Sequence, residues 1–189
     1  MPSPVDDIIT PRLILRLLGD EVTHACLANN LATAQHLLGA TIPEEFGSSL
    51  SSLVYDLRQL QQDPGYRPWA SRAIILPDEM KMVGRIRFHS SPALHADKPY
   101  MIAAAELGYG IFSTDRRKGY AREAIIGVMN WATTHYHTHR FIASVSPENI
   151  PSLALVQSFG FIKVDEVMDE TDGMEYVFLL DSTLAIPSF

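Results

Sequence analysis

Cysteine is almost absent from this chain of 189 residues: only Cys26 occurs. No disulfide can form within it, and a reducing compartment is the simpler expectation. No base is paired with Cys26 in the sequence, so it reads as a small apolar residue on a helix face rather than a nucleophile. Positive charge is scarce as well. Fifteen Lys and Arg stand against 22 Asp and Glu, a net charge of -7, which excludes the basic surface that nucleic acid requires. No stretch approaches the ~20 apolar residues of a membrane span. The first residues carry neither a basic segment nor a long apolar run, so no signal peptide is read. A cytoplasmic protein with no nucleic-acid or membrane partner is expected. Metal ligands at workable spacing are also lacking. Of His135, His137 and His139 only the first and third share a helix face, and no carboxylate or cysteine joins them, so no metal is expected.

What is present suits a single domain. With 47% hydrophobic and 20% charged residues the chain can bury a core of its own. The expected division is an arm over 1–9, a domain over 10–181 and a tail over 182–189. Within the arm and its junction, Met1 to Pro11 should be extended. Arg12 to Leu17 reads as the first strand, and helical stretches follow from Asp20 to about Asn30 and from Leu31 to Leu38. Leu50, Leu53, Val54, Leu57 and Leu60 recur at helical spacing and predict a helix over about Ser49 to Gln62. Strands are expected at Trp69 to Leu76, Met82 to His89 and Met101 to Phe112. A helix to about His135 and a strand from Phe141 to Val145 come next, the latter parallel to its predecessor because a helix joins them. A helix entered at Asn149 and a hairpin of Phe161 to Met168 and Glu175 to Leu180, turning near Asp172 and Gly173, complete the chain.

The most informative stretch runs from Glu106 to Arg122. It joins an apolar strand to a helix through Arg116, Arg117, Lys118 and Gly119. The helix beyond opens with amides that lack intrahelical acceptors, which makes an anion site, and the predicted ligand is a polyphosphate. The turn ends in neither Gly-Lys-Ser/Thr nor Gly-x-Gly-x-x-Gly, so it is not a nucleotide-hydrolase or dinucleotide loop. Glu106 lies among alanines, leucine and glycines, where a carboxylate is costly unless it is hydrogen-bonded or faces a wet cleft. It is either an acid/base group or a structural partner to an amide or arginine. Asn149 is suited to cap its helix, and Gly108 and Gly110 mark a bulge or a close backbone approach.

Arg116-x-x-Gly119-x-Ala121 after a strand, then Pro147-Glu148-Asn149 and Gly160-Phe161, resembles the GNAT superfamily of acyl-coenzyme A dependent N-acyltransferases. Thr10-x-Arg12-Leu13-x-Leu15-Arg16 further resembles the opening of its ribosomal-protein N-terminal acetyltransferase branch. The resemblance implies an α/β fold with a mixed, twisted sheet of about six or seven strands, splayed between two parallel strands. It implies acetyl-coenzyme A as co-substrate, without metal. Residues Arg116, Arg117, Lys118, Gly119, Tyr120 and Ala121 would hold the pyrophosphate. Backbone groups of Ile111, Phe112 and Ser113, beyond a strand bulge, would pair with the pantetheine arm, with Asn149 and Ser152 beside it. Glu106 would take the amine's proton and Ser152 would reach the acetyl sulfur. Where many relatives have a tyrosine four residues after Ser152, this chain has Val156. The implied acceptor is a protein N-terminus or a small amine, and the protein is a monomer or homodimer. A non-catalytic acyl-coenzyme A binding domain is the alternative. Ile42 to Phe46 is a candidate for acceptor contact or an ordinary loop. The acidic run Asp165, Glu166, Asp169, Glu170, Asp172 and Glu175 is either a solvated hairpin or an attractor of cationic amines.

Overall fold

The computed structural model describes residues 3–169 and 173–182, so the hairpin turn at Asp172 and the tail beyond Ser182 lie outside the described residues. One mixed sheet of eight strands carries helices on both faces. In chain order the strands are β1 (Ile8–Ile9), β2 (Ile14–Leu17), β3 (Arg72–Leu76), β4 (Lys81–Phe88), β5 (Ala104–Ile111), β6 (Arg140–Val145), β7 (Ile162–Asp169) and β8 (Gly173–Asp181). Their spatial order is β1-β2-β3-β4-β5-β6-β8-β7, antiparallel throughout except for the β5 and β6 pair. Helices α1 (Asp20–Leu27), α2 (Leu31–Leu38) and α3 (Ser51–Gln62) separate β2 from β3. Helix α4 (Tyr120–Tyr136) crosses from β5 to β6, and α5 (Ile150–Ser158) follows β6.

Two cores flank the sheet. On one face the aromatic rings of Trp69, Phe88, Trp131 and Phe141 pack with Ile125, Met129, Val156 and Phe161 from α4, α5 and the closing hairpin. On the other, Leu18, Val22, Cys26, Leu38, Phe46 and Leu53 cover Ala73, Ile75 and Met82. Alternation along β3 sends Ile74 to the first core and Ala73 and Ile75 to the second, the period-2 rule for a strand buried on both faces.

The expected extended arm supplies an eighth strand. Ile8–Ile9 pairs with Ile14 and Leu15, because the arm is pinned from below by a buried arginine. Arg72 donates to the carbonyls of Pro4, Asp6 and Leu15, and its guanidinium lies 5.2 Å over Trp131. Burial pulls its pKa down to about 10, and carboxylates nearby oppose the shift. A guanidinium so satisfied by backbone carbonyls is costly to leave unpaired, which fixes the path of the arm.

Trp69 falls in a 3-10 turn, Pro64–Trp69, rather than in β3, since two prolines within that segment remove strand donors. Phe46 and Ile42 are buried in the second core, where their side chains pack. No helix among the described residues is long and apolar enough to cross a membrane.

Candidate active site

Strands β5 and β6 pair only at Ala104↔Arg140, Ala105↔Phe141 and Glu106↔Ile142. Beyond that point β5 stays with β4 as far as Gly84↔Ile111, while β6 stays with β8 as far as Val145↔Tyr176. The two parallel strands therefore part at Glu106. Between them lies a cleft of about 620 Å³ whose lining includes Glu106, Tyr109, Ser144, Asn149 and Ser152. The register of β5 and β4 is continuous, so the bulge expected near Gly108 and Gly110 is not what opens it. The glycine needed for close approach is Gly84, where a Cβ would overlap the carbonyl of Gly110.

Backbone alternation identifies the open edge. The bonds His89 N–H to Glu106 C=O and Phe112 N–H to Val83 C=O place the even-numbered residues of β5 toward β4. Tyr109 and Ile111 consequently direct their backbone groups toward the side that β6 has left. The Phe112 amide binds Val83 and its carbonyl accepts from Asp115, as the Ile111 carbonyl accepts from Arg116 Nε. The Ser113 amide and hydroxyl both donate to the Glu45 carboxylate, at 3.0 and 2.7 Å, and these bonds hold Glu45 below the usual carboxylate range.

Glu106 stands where the pairing ends. Its Oε1 accepts from Ser144 Oγ at 2.6 Å, two residues past the last pair of the two strands, Glu106↔Ile142. This supplies the hydrogen bond that a half-buried carboxylate requires, while the group still lines the cleft. Asn149 caps α5, accepting from the Ser152 amide at 3.2 Å, and leaves its side-chain NH2 turned to other use.

The basic turn follows β5 at the same end. Gly119 is the residue before α4 and has φ +83°, a left-handed conformation that a side chain resists. Arg117 also has positive φ. No side chain caps the first amides of α4, so they face outward as donors. Arg116 binds the Ile111 carbonyl through Nε, and Lys118 pairs with Asp115 at 2.8 Å. Arg116, Arg117 and Lys118 are exposed, while Tyr120 and Ala121 are half-buried. The turn lies beyond the cleft lining, as a long ligand reaching from one to the other would need.

A brace unreadable from the turn alone holds it. The buried Glu123 carboxylate accepts from Thr10 Oγ, the Arg12 amide and Arg12 Nε at 2.7, 2.7 and 2.6 Å, and Arg12 also donates to the Lys118 carbonyl. Thr10 and Arg12 thus bind the start of the sheet to the start of α4. Burial alone would raise the Glu123 carboxyl, but the bonds from Thr10 and Arg12 outweigh it and lower it.

Asp115 supports the turn from beneath. Burial would raise its carboxyl, yet hydrogen bonds from Lys118, Lys81 and Thr114 together pull it down to about 2. Because the folded value lies below that of the unfolded chain, ~3.9, its contribution is full above that value and lost as pH falls through about 2. The expected contribution is about 2 kcal/mol. Urea unfolding should show Asp115→Asn destabilised at pH 6 and level with the wild type near pH 2; a constant difference across that range would refute the ion pairs.

Val156, one turn after Ser152, is buried in the main core. A tyrosine there would not point into the cleft. Val156→Tyr is expected to lower stability by about 1–3 kcal/mol through overpacking, with no gain in turnover. Denaturant midpoints and single-turnover rates together check this.

The acidic hairpin divides by position. Asp165 binds Lys98 and Tyr100, and Glu166 binds Lys163, whereas Asp169 and Glu175 line the cleft; Glu170 and Asp172 lie outside the described residues. Among the described residues no group of three His, Cys, Asp or Glu could hold a metal ion.

Residues 12–162 match the family model described as acetyltransferase (GNAT) domain. The N-acetyltransferase YnaD of Bacillus subtilis, itself uncharacterized, is 31% identical over 87 residues, 46% of each chain. YjdG of the same organism, also uncharacterized, is 30% identical over 103 residues, 54% of this chain and 57% of that one. The chain thus matches about half the length of these curated relatives. Among solved structures, the ribosomal-protein-S5-alanine acetyltransferase of Vibrio fischeri superposes with a TM-score of 0.63 at 18% identity, covering 96% of this chain and all of that one. RimJ of Mycobacterium smegmatis, in complex with a CoA-disulfide, gives 0.62 at 19%, covering 93% and 87%. At such identities the likeness is one of fold.

Proposed function

The chain belongs to the GNAT acetyltransferase family, and from that premise we propose that it transfers an acetyl group from acetyl-coenzyme A to a primary amine by direct attack in a ternary complex. The observation that carries this reading is the parting of β5 and β6 at Glu106, with the basic turn and Asn149 at the same open end.

The coenzyme's pyrophosphate meets the uncapped amides of α4 and the charges of Arg116, Arg117 and Lys118. Its pantetheine arm runs along the open edge of β5 at Tyr109 and Ile111, and the Asn149 side chain donates to it. RimJ, whose structure holds a CoA-disulfide, has this fold, which supports coenzyme A as the ligand. The thioester then lies between Glu106 and Ser152. Glu106 removes the amine's proton, directly or through water, and the remaining barrier is lowered by holding the reactants in line.

The acceptor enters from the side of β7 and β8. Carboxylates of Glu106, Asp169 and Glu175 line the cleft and favour a cationic amine over a neutral one. A protein N-terminus and a small amine both meet that requirement; that solved neighbours include a ribosomal-protein-S5-alanine acetyltransferase supports the former. The activity is assigned to the domain over 10–181, acting in the cytoplasm as a monomer or homodimer.

The test is release of thiol from acetyl-coenzyme A against peptides with free or blocked N-termini and against small amines. Release with free amines alone supports transfer. Tight binding of acetyl-coenzyme A with no release by any amine would make the protein a binding domain instead.

A further inference from the structure

Of the buried side-chain polar atoms without a hydrogen bond among the described residues, one belongs to a residue that lines the cleft and has no part in acetyl transfer as described. Tyr109 packs its ring against the main core, while its hydroxyl is buried in the wall of the cleft with no well-aligned hydrogen bond among the described residues. A hydroxyl held so is costly, and such a group in a cleft points to a ligand that completes it. The Ser152 hydroxyl approaches it from α5 closely enough to interact. Strand alternation puts Tyr109 and Glu106 on opposite faces of β5, yet both reach the cleft because it opens between the strands.

We propose that Tyr109 is the catalytic acid that protonates the departing coenzyme A sulfur, a role that rests on the acetyl-transfer reading above. With the arm laid along the open edge of β5, the thioester arrives between the two faces. The amine and Glu106 are on one side, and the sulfur, Ser152 and Tyr109 are on the other. The amine nitrogen bonds to the acetyl carbon as the carbon–sulfur bond breaks, and the bonding pair goes to sulfur. Glu106 first passes the ammonium proton to water; as the amide forms it takes nitrogen's second proton while sulfur takes the phenolic one, and water restores the phenol and clears Glu106. The sum is ammonium plus thioester to amide, thiol and one proton released to water. Val156 cannot serve, being buried in the core and without a proton to give.

Burial pushes the Tyr109 phenol up, and the Ser152 hydroxyl opposes this only in part. The phenol is therefore protonated through the neutral range, as an acid must be. The titratable groups facing the cleft are His89 just after β4, Glu106 on β5, Lys98 and Tyr100 in the loop before β5, and Asp169 and Glu175 on the closing hairpin. Helix α5 and β6 present only uncharged Asn149, Ser152, Ser144 and Ser146 among their polar residues.

The experiment measures kcat and KM for acetyl-coenzyme A across pH with the full chain. It compares the wild type, Tyr109→Phe, which keeps the ring and its packing, and a protein carrying an isosteric fluorinated tyrosine at 109. Tyr109→Phe should lose about hundredfold in kcat, the lower end for an acid catalyst, with KM unchanged. The fluorinated protein should show its alkaline fall in kcat at lower pH, following the more acidic phenol. Wild-type kcat in Tyr109→Phe would overturn the proposal while leaving acetyl transfer intact. A fall in Tyr109→Phe with an unmoved alkaline limb in the fluorinated protein would make the hydroxyl a positioning group rather than the acid, and would overturn it too. No thiol release by the wild type with any amine would overturn the transfer reading and this one together.

Discussion

Glu106→Gln is expected to lower kcat by about 10²- to 10⁴-fold, the range of a lost acid/base group, with little change in affinity for acetyl-coenzyme A. An α-amine titrates near ~7.7–8.0 and a lysine amine near ~10.4, so either is largely a cation at neutral pH and cannot attack until a proton leaves. Glutamine preserves the acceptor oxygen for Ser144 Oγ, which Glu106 now engages at 2.6 Å, so the bond between β5 and β6 survives. It cannot accept the amine's proton. Raising the pH should restore part of the loss by supplying neutral amine. Unchanged kcat at pH 7 with a good acceptor would remove Glu106 from the mechanism, and a large fall in melting temperature would make it structural.

Gly119→Asp is expected to abolish stabilisation by acetyl-coenzyme A. A ligand at a hundred times its Kd stabilises the fold by ~2.7 kcal/mol, and the variant should gain close to none of it. Two effects act together. At φ +83° a side chain is strained, and a Cβ would come within 3.2 Å of Arg12 Nη2, the residue that braces the turn through Glu123 and Lys118. The added carboxylate also stands at the uncapped start of α4, where it repels phosphate and competes for its donors. Gly119→Ala separates the two, since it introduces the strain without the charge and should keep part of the stabilisation. Thermal unfolding of both variants with and without ligand is the measurement. A folded Gly119→Asp protein showing the full shift would place the phosphates elsewhere.

The turn was readable because it is local: a glycine, three basic residues and a helix start lie within a few positions, and the backbone geometry they require is specific. Asn149 was readable for the same reason, as a cap ahead of Pro151. The family and the mixed sheet followed from such motifs. Parts held by distant contacts were not readable. The arm became β1 because Arg72, far along the chain, binds three of its neighbours' carbonyls. Thr10 and Arg12 could be matched to a pattern, but their grip on Glu123 appears only when β2 meets α4. Ile42 and Phe46 read as loop because their burial depends on how α1 and α3 close over the sheet. The Tyr109 hydroxyl had no signature at all. Its place in the wall of the cleft comes from the parting of β5 and β6, and one strand's sequence does not say where its neighbour leaves it.

The central claim is direct transfer from thioester to amine in the cleft where β5 and β6 part, with no acetyl-enzyme. The most direct measurement mixes the protein with an equal amount of acetyl-coenzyme A and follows intact protein mass and free thiol before and after an accepting amine is added. Cys26, the one thiol of the chain, is buried in the second core and raised in pKa by that burial, so no nucleophilic cysteine waits in the cleft. The account predicts no change in protein mass and no thiol at first, then thiol and N-acetylated amine in equal amounts once the amine arrives. Acetylated protein that forms before the amine and then hands its acetyl group on would contradict it.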